Sequence, residues 1–279
     1  MTTRDILVLM KSRIHLPSVP GISLVPKRIR IIVATLFSTL LLAGSTFFPF
    51  SETWFIFISL FVFVLYGVIY LAIYEGIDGV ERYTLFIMPI FYAIALYLFY
   101  SLLPVRWLTR IPYLALFSLG FYAILLSTNI LNVGVEKSLQ LYRAAFSVNY
   151  LSQTFAFFLY TLAILSLRLP VILSTPLIAV ASSLLSLQLL WSVHLEREIS
   201  RKVVNMSLLV GVLILEAGIL ASFLPVKTNV RTLLLVSTYF SITGILYHYL
   251  DNRLFKNIVR EYVIVMLVTL VITLFLSQR

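Results

Sequence analysis

The sequence contains no cysteine and few charged residues, and each shortage excludes a class of protein. Because cysteine is absent from all 279 residues, disulfide scaffolds and cysteine-based metal sites are excluded. Charged residues make up 11% of the chain and apolar residues 61%, whereas soluble domains carry about 25% charged residues. A water-exposed surface cannot be built from this composition, so the sequence predicts an integral membrane protein.

Long apolar runs, without the alternation typical of barrel strands, predict transmembrane helices. A bilayer core about 30 Å thick requires about 20 apolar residues per helix. Breaks at charged and proline residues leave nine such runs, which predicts an all-α, polytopic transmembrane helical bundle of about nine helices. The predicted spans are 29–50, 53–74, 84–103, 111–133, 145–167, 169–193, 203–224, 231–250 and 257–276.

The basic residues predict how the bundle is oriented. With the N-terminus inside, fifteen of the 21 Lys and Arg residues fall on the cytoplasmic side, as the positive-inside rule requires. Residues 1–28 form a basic cytoplasmic segment that suits anionic lipid rather than nucleic acid, despite the net charge of +10. We expect the C-terminus outside, in a bacterial cytoplasmic membrane.

A short motif repeats at an offset of 121 residues. Ser101–Arg106 (SLLPVR) recurs as Ser222–Lys227 (SFLPVK), which favours two parallel four-helix units and a ninth helix. The alternative is that Leu-Pro-Val suits the first turn of any interfacial helix, as a third copy at Leu169–Val171 indicates. The predicted organisation is one transmembrane domain, 29–279, with units 29–143 and 145–254 and a final helix, 257–276.

Three carboxylates spaced by three residues follow the second predicted span. Glu75, Asp78 and Glu81 would share one helical face, where their repulsion is costly unless a cation lies among them. Mg²⁺ prefers such oxygen ligands and bridges them to phosphates. Tyrosines at i+4 spacing, from Tyr66 to Tyr74, form an aromatic wall suited to a lipid-tailed anion. The alternative is a solvated acidic loop beside an interfacial aromatic belt.

A second segment of acids and bases follows the sixth span, on the same predicted side of the membrane. It holds Glu196, Glu198, Arg201 and Lys202. Two such segments, after spans 2 and 6 of nine, resemble the UbiA-type intramembrane prenyltransferases. That family combines two four-helix groups with one further helix, and it uses Mg²⁺ at two aspartate-rich motifs to hold a prenyl diphosphate.

The motifs match this family only in part. In its first motif, Asn-Asp-x-x-Asp-x-x-x-Asp, Asp78 matches the second aspartate, but Tyr74 and Glu75 replace the first two residues and Glu81 falls one residue short. The resemblance implies Mg²⁺ as cofactor, with Glu75, Asp78 and Glu196 as ligands. The implied catalytic residues, which address the metal or neutralise phosphate, are Glu75, Asp78, Glu81, Arg82, Glu196, Glu198, Arg201 and Lys202.

Polar residues also lie within the predicted spans. Asn129 and Asn132 begin a polar run that extends to Arg143 and is similar to a stretch in uncharacterised polytopic membrane proteins of small-genome bacteria. Together with Asn149 and Gln153, these amides predict hydrogen bonds between helices, or alternatively a polar substrate pocket.

Glu216 is a lone carboxylate inside the seventh predicted span. Such a residue indicates a proton relay or a cation site. The alternative is a structural glutamate that is protonated, or paired with Arg168 or Arg231.

Three functions are consistent with these patterns, and whether the chain is an enzyme stays open at this point. The first is a Mg²⁺-dependent intramembrane transferase that acts on a lipid-tailed diphosphate. The second is a small-molecule or lipid transporter, or a flippase, that uses Glu216 and the amides. The third is a non-catalytic membrane component. Expected partners are membrane lipids and a lipid-linked substrate, and no zinc-protease, hydrolase or phosphate-loop motif is found.

Overall fold

The computed structural model describes residues 25–47, 54–74, 80–104, 106–133, 139–195 and 198–277. Within these ranges the chain folds into nine α-helices and contains no strand. The helices are α1 (Lys27–Ser45), α2 (Trp54–Ile73), α3 (Glu81–Tyr100), α4 (Trp107–Val133), α5 (Leu139–Ser166), α6 (Val171–Trp191), α7 (Arg201–Ser222), α8 (Thr228–Leu250) and α9 (Lys256–Ser277).

The predicted fold class is confirmed. Eight of the helices are long and apolar enough to cross a membrane, while the apolar part described for α2, Ile58–Ile73, is shorter. Helices suit this environment because they satisfy every backbone hydrogen bond within the segment. The protein is a multi-pass integral membrane protein with an all-α helical bundle.

Three helix ends differ from the predicted spans by more than three residues. Helix α4 begins at Trp107, four residues before its predicted start. Helix α1 ends at Ser45, where the hydroxyls of Ser45 and Thr46 donate hydrogen bonds to the carbonyls of Leu42 and Ala43. Helix α5 begins at Leu139, six residues before the predicted start of its span, so that Arg143 lies inside a helix. Hydropathy alone misses this first turn, since an exposed arginine can extend its charge to water from a helix end.

Hydrogen bonds between helices bring together, at one end of the bundle, the helix ends that flank the two predicted acidic segments. Asn132 at the end of α4 donates to the carbonyl of Ile73 at the end of α2, and Ser127 donates to Ala145 near the start of α5. Tyr142 in turn donates to Ser192, just beyond α6. We call this end, where α1 begins, the near end of the bundle and the opposite one the far end.

The helix contacts follow the same pattern in the two predicted units. Within α1–α4, the packed pairs are α1–α2, α2–α3, α3–α4, α1–α4 and α2–α4, and within α5–α8 the equivalent pairs are α5–α6, α6–α7, α7–α8, α5–α8 and α6–α8. The two groups meet where α5 packs against α3 and α4, and α3 against α6. A duplication requires this equivalence, and the duplication itself stays a prediction.

Helix α9 lies at the edge of the bundle and packs against α8. Ser237 and Thr269 share a hydrogen bond of 2.6 Å, and Ser241 donates to the carbonyl of Tyr262 at 3.0 Å. Thr273 is the single buried residue of α9, so most of this helix contributes to the outer surface.

Candidate functional site

A groove of about 490 Å³ runs between α1 and α2 at the near end of the bundle. Its walls are apolar, and several of them belong to the outer surface, since Val33 is 57% exposed and Phe37 48%. From Arg30 to Phe37 it follows α1 inward for about 10 Å. The lining residues are Val25, Arg30, Val33, Ala34, Phe37, Val68, Leu71 and Ala72.

Among the described residues that line this groove, Arg30 is the one that carries a charge. Its guanidinium lies 4.7 Å from the ring centre of Tyr74, at the end of α2, and its residue surface is only 8% exposed. A planar guanidinium is suited to bidentate hydrogen bonding with phosphate, and stacking on an aromatic ring orients it. The groove therefore joins an apolar channel to a positioned cation.

Further polar groups occupy the same end of the first four-helix group. Glu81 is the first residue of α3, where a carboxylate interacts favourably with the helix dipole, and Arg82 follows it. The Nε atom of Arg82 and the Oδ1 atom of Asn129 are buried and have no hydrogen-bond partner in the described part of the chain. Asn132 instead ties α4 to α2 through its bond to Ile73.

Of the three carboxylates predicted to share one helical face, only Glu81 belongs to the residues that the structure describes. Helix α2 ends at Ile73 and α3 begins at Glu81, whereas Glu75 and Asp78 lie outside the described residues. Tyr66 packs against Phe86 of α3, with ring centres 4.8 Å apart. The predicted aromatic wall is thus in contact with α3 at Tyr66 and with α1 at Tyr74.

The second predicted segment lines a separate crevice of about 310 Å³ at the near end. Glu198 and Lys202 belong to its walls, together with His194, Ser200 and Asn252. The Lys202 ammonium lies 4.6 Å from the ring centre of Tyr249. Arg201 is exposed at the start of α7, and Glu196 is outside the described residues. This crevice shares no lining residue with the α1–α2 groove.

The fit of Mg²⁺ rests on residues that the structure does not describe. Among the described residues, no three His, Asp or Glu side chains are grouped closely enough to hold a metal ion. The three implied ligands, Glu75, Asp78 and Glu196, all lie outside those residues.

The amides predicted in the fifth span form part of a buried hydrogen-bond network. Gln153 donates to the side chain of Gln188 on α6 and, at 3.2 Å, to the carbonyl of Leu185. Asn149 and Gln188 exchange bonds of 3.5 and 3.4 Å, and Tyr239 on α8 donates to Gln153 at 3.2 Å. These contacts favour the prediction of interhelical hydrogen bonds over that of a substrate pocket.

The sequence analysis missed two members of this network and the position of Arg30 in the groove. Gln188 is the single amide in the predicted span 169–193, which could have marked it as a partner for Gln153. Tyr239 gives no such signal, because buried tyrosines are ordinary core residues. In the sequence, Arg30 contributes to the predicted orientation and, beside Lys27 and Arg28, gives no sign that its side chain is buried.

Glu216 lies on the exposed side of α7. Among the described residues it makes no ion pair, so the predicted pairing with Arg168 or Arg231 is not observed; Arg231 donates instead to the carbonyl of Leu224. The contact between Ser186 and Ser207 aligns Gln188 with residue 205 of α7, which is about 16 Å along the helix from Glu216. Glu216 and the amide network are therefore separate features.

Comparisons with models of protein families, with curated proteins and with solved structures find no match to this chain.

Proposed function

We propose that this protein binds a lipid with a phosphate or diphosphate head group in the groove between α1 and α2. The observation that carries the proposal is the position of Arg30, whose guanidinium is the one charged group among the described residues that line an otherwise apolar groove. The lipid tail would lie against Val33, Phe37 and Leu71, and the head group would receive hydrogen bonds from the guanidinium.

The dimensions and surroundings of the groove support a lipid-tailed ligand. Its volume is within the range of small-molecule sites, about 300–1,000 Å³. Because its wall residues Val33 and Leu71 are exposed on the membrane-spanning surface, a lipid can enter sideways. Lys27 and Arg28 at the start of α1 add positive charge at the same end, which attracts anionic head groups.

We further propose that the bound lipid is the donor in a transfer reaction, as the two acidic segments predict. In this step a nucleophilic atom of an acceptor molecule would bond to the first carbon of the lipid tail, the bond from that carbon to the diphosphate oxygen would break, and diphosphate would leave. Support comes from position, since the groove opens at the same end of the bundle as both segments. The transporter has less support, because Glu216 and the amide network do not adjoin each other. The transferase therefore stays the preferred prediction.

The proposal is tested by the binding of fluorescent farnesyl diphosphate to full-length protein in phosphatidylcholine nanodiscs. A charge-assisted hydrogen bond is worth about 1.5–3 kcal/mol, so Arg30→Gln should weaken binding by about tenfold or more. Arg28→Gln, an exposed neighbour on the same helix, is the matched control and should change affinity little. The contact with the lipid tail is tested by Val33→Trp, because a larger side chain at this position narrows the groove. The matched control is Leu40→Trp, at a residue of the same helix that does not line the groove.

Equal affinity for farnesyl diphosphate and farnesol, or equal affinity of the Arg30→Gln and Arg28→Gln proteins, would remove the proposed head-group site. The transfer step is tested separately by diphosphate release in the presence of Mg²⁺, with Asp78→Ala as the variant. Binding without release would retain the lipid site and remove the transferase.

A further inference from the structure

The crevice at the near end of the second four-helix group lies where three membrane-spanning helices end. Its floor is apolar and buried, since Leu190, Trp191, Val203 and Leu250 are at most 7% exposed. These residues belong to the last turn of α6, the first turn of α7 and the last turn of α8. The crevice is therefore at the edge of the membrane-spanning region, the level at which the polar head groups of a bilayer lie.

The walls of the crevice carry two opposite charges that do not pair. Glu198 and Lys202 both line it, yet among the described residues neither makes an ion pair, whereas Arg253 pairs with Asp251 in the neighbouring turn. The Lys202 ammonium lies instead 4.6 Å from the ring centre of Tyr249. This contact positions the ammonium and leaves the N–H donors that point away from the ring available to a ligand.

The start of α7 explains why the two charges stay apart. Oppositely charged residues four positions apart on one helix are neighbours and attract each other, but Glu198 precedes the helix. Ser200 is the N-cap residue, with an extended backbone, and its hydroxyl accepts a hydrogen bond from the amide of Val203. Because the helix begins only after this cap, Glu198 and Lys202 do not share a helical face.

A ligand with a single charge fits these walls poorly. An anion that is attracted to Lys202 also meets the carboxylate of Glu198, and a cation that is attracted to Glu198 also meets the ammonium. A ligand that carries both charges satisfies both residues. Its anionic part is favoured at Lys202 for a further reason, since the N-terminus of α7 carries a partial positive charge.

We infer that this crevice binds a zwitterion that joins a phosphate to a primary ammonium, which is the chemistry of an ethanolamine phospholipid head group. The phosphate receives hydrogen bonds from Lys202, and the ammonium donates to Glu198. A volume of about 310 Å³ is within the range of small-molecule sites. The crevice shares no lining residue with the α1–α2 groove, so this site is additional to the lipid site proposed there.

Native mass spectrometry of the full-length protein in detergent, titrated with one lipid at a time, tests this inference. Phosphatidylethanolamine should bind about fivefold more tightly than phosphatidylcholine, or better, because the trimethylated ammonium of choline cannot donate a hydrogen bond to Glu198. Glu198→Gln should abolish this preference, and Lys202→Gln should weaken the binding of phosphatidylethanolamine. The matched controls are Glu261→Gln and Lys256→Gln, exposed at the same end of the bundle on α9, which should change neither result.

Equal affinity of the unsubstituted protein for the two lipids, or the same ratio of affinities in Glu198→Gln and Glu261→Gln, would overturn the inference. The Arg30→Gln protein should keep the ratio, so a failure of the lipid site in the α1–α2 groove is distinguished from a failure of this one. Displacement of the lipid by soluble phosphoethanolamine at equal concentration would assign the crevice to a soluble zwitterion, and no displacement would assign it to the membrane lipid. Should Lys202→Gln fail to fold, Glu198→Gln, at an exposed residue before the helix, decides the question.

Discussion

The phenol of Tyr239 on α8 donates a hydrogen bond of 3.2 Å to the side-chain oxygen of Gln153 on α5. Both residues are fully buried, and the bond joins the first and last helices of the second four-helix group. Since Gln153 also bonds to Gln188 on α6, three helices converge on a single side chain. Polar residues placed in this way fix how helices dock where surrounding lipid supplies no hydrophobic driving force.

We predict that Tyr239→Phe lowers the free energy of unfolding by about 0.6–1.7 kcal/mol, the range for interhelical hydrogen bonds in membranes. The substitution removes the donor while it leaves the ring in contact with Phe157, with ring centres 4.4 Å apart. Unfolding in mixed micelles of increasing sodium dodecyl sulfate measures the effect. Tyr83→Phe, at a residue 71% exposed, is the control, and equal stability of the two variants would contradict the importance of the network.

Arg110 should stabilise the far end of the first four-helix group. Its guanidinium donates to the carbonyl of Thr46 at 3.1 Å and to the hydroxyl of Tyr100 at 3.2 Å, and it lies 4.5 Å from the ring centre of Phe47. A cation at the C-terminus of α1 also interacts favourably with the helix dipole.

We therefore expect Arg110→Gln to cost about 1–3 kcal/mol of stability, measured by the same unfolding assay. Arg110→Lys should recover only part of the loss, because a lysine lacks the planar fork that bonds two acceptors. The control is Arg106→Gln, since Arg106 is exposed. If Arg110→Gln and Arg106→Gln unfold alike, the guanidinium has no stabilising role.

Gly120 allows α3 and α4 to approach closely. A Cβ atom at this position would lie 2.6 Å from Cζ of Tyr92, whose hydroxyl is held by a 2.9 Å bond to the carbonyl of Leu116. Because this ring cannot move without breaking that bond, Gly120→Ala should destabilise the protein by about 1–3 kcal/mol. Gly44→Ala meets no atom within 4 Å and should be neutral or slightly stabilising. The temperature at which each variant aggregates in detergent distinguishes the two. An aggregation temperature of Gly120→Ala equal to that of the unsubstituted protein would contradict the described packing.

The predicted orientation can be tested with a cysteine at each end of α8. Leu254→Cys, beyond the near end, is expected on the cytoplasmic side, and Asn229→Cys, at the far end, on the outside. A membrane-impermeant maleimide should then label intact cells only at Asn229→Cys. If only Leu254→Cys were labelled, the orientation would be the opposite of the predicted one.

The sequence alone predicted nine helices because hydropathy is a local property. Each apolar run must be about 20 residues long to cross the bilayer, and charged or proline residues interrupt the runs, so the ends of α8 and α9 lie within three residues of the predicted ones. The predicted start of α5 is less accurate, because the helix begins with a polar turn that precedes the apolar run. That turn is stabilised by contacts such as the bond from Tyr142 to Ser192, which hydropathy does not register.

The partners and surroundings of the polar residues depended on the tertiary structure. From the sequence, Gln153 and Glu216 were both polar residues inside predicted spans, and nothing in the local pattern separated them. The structure surrounds Gln153 with Gln188 and Tyr239, whereas it leaves Glu216 on the outer surface. The surroundings of Arg30 also depend on the tertiary structure, because the groove that it lines forms only when α1 and α2 pack together. Composition and periodicity determine that a segment enters the membrane, but a hydrogen bond or a cavity requires residues from different helices, and only packing of the helices brings those together.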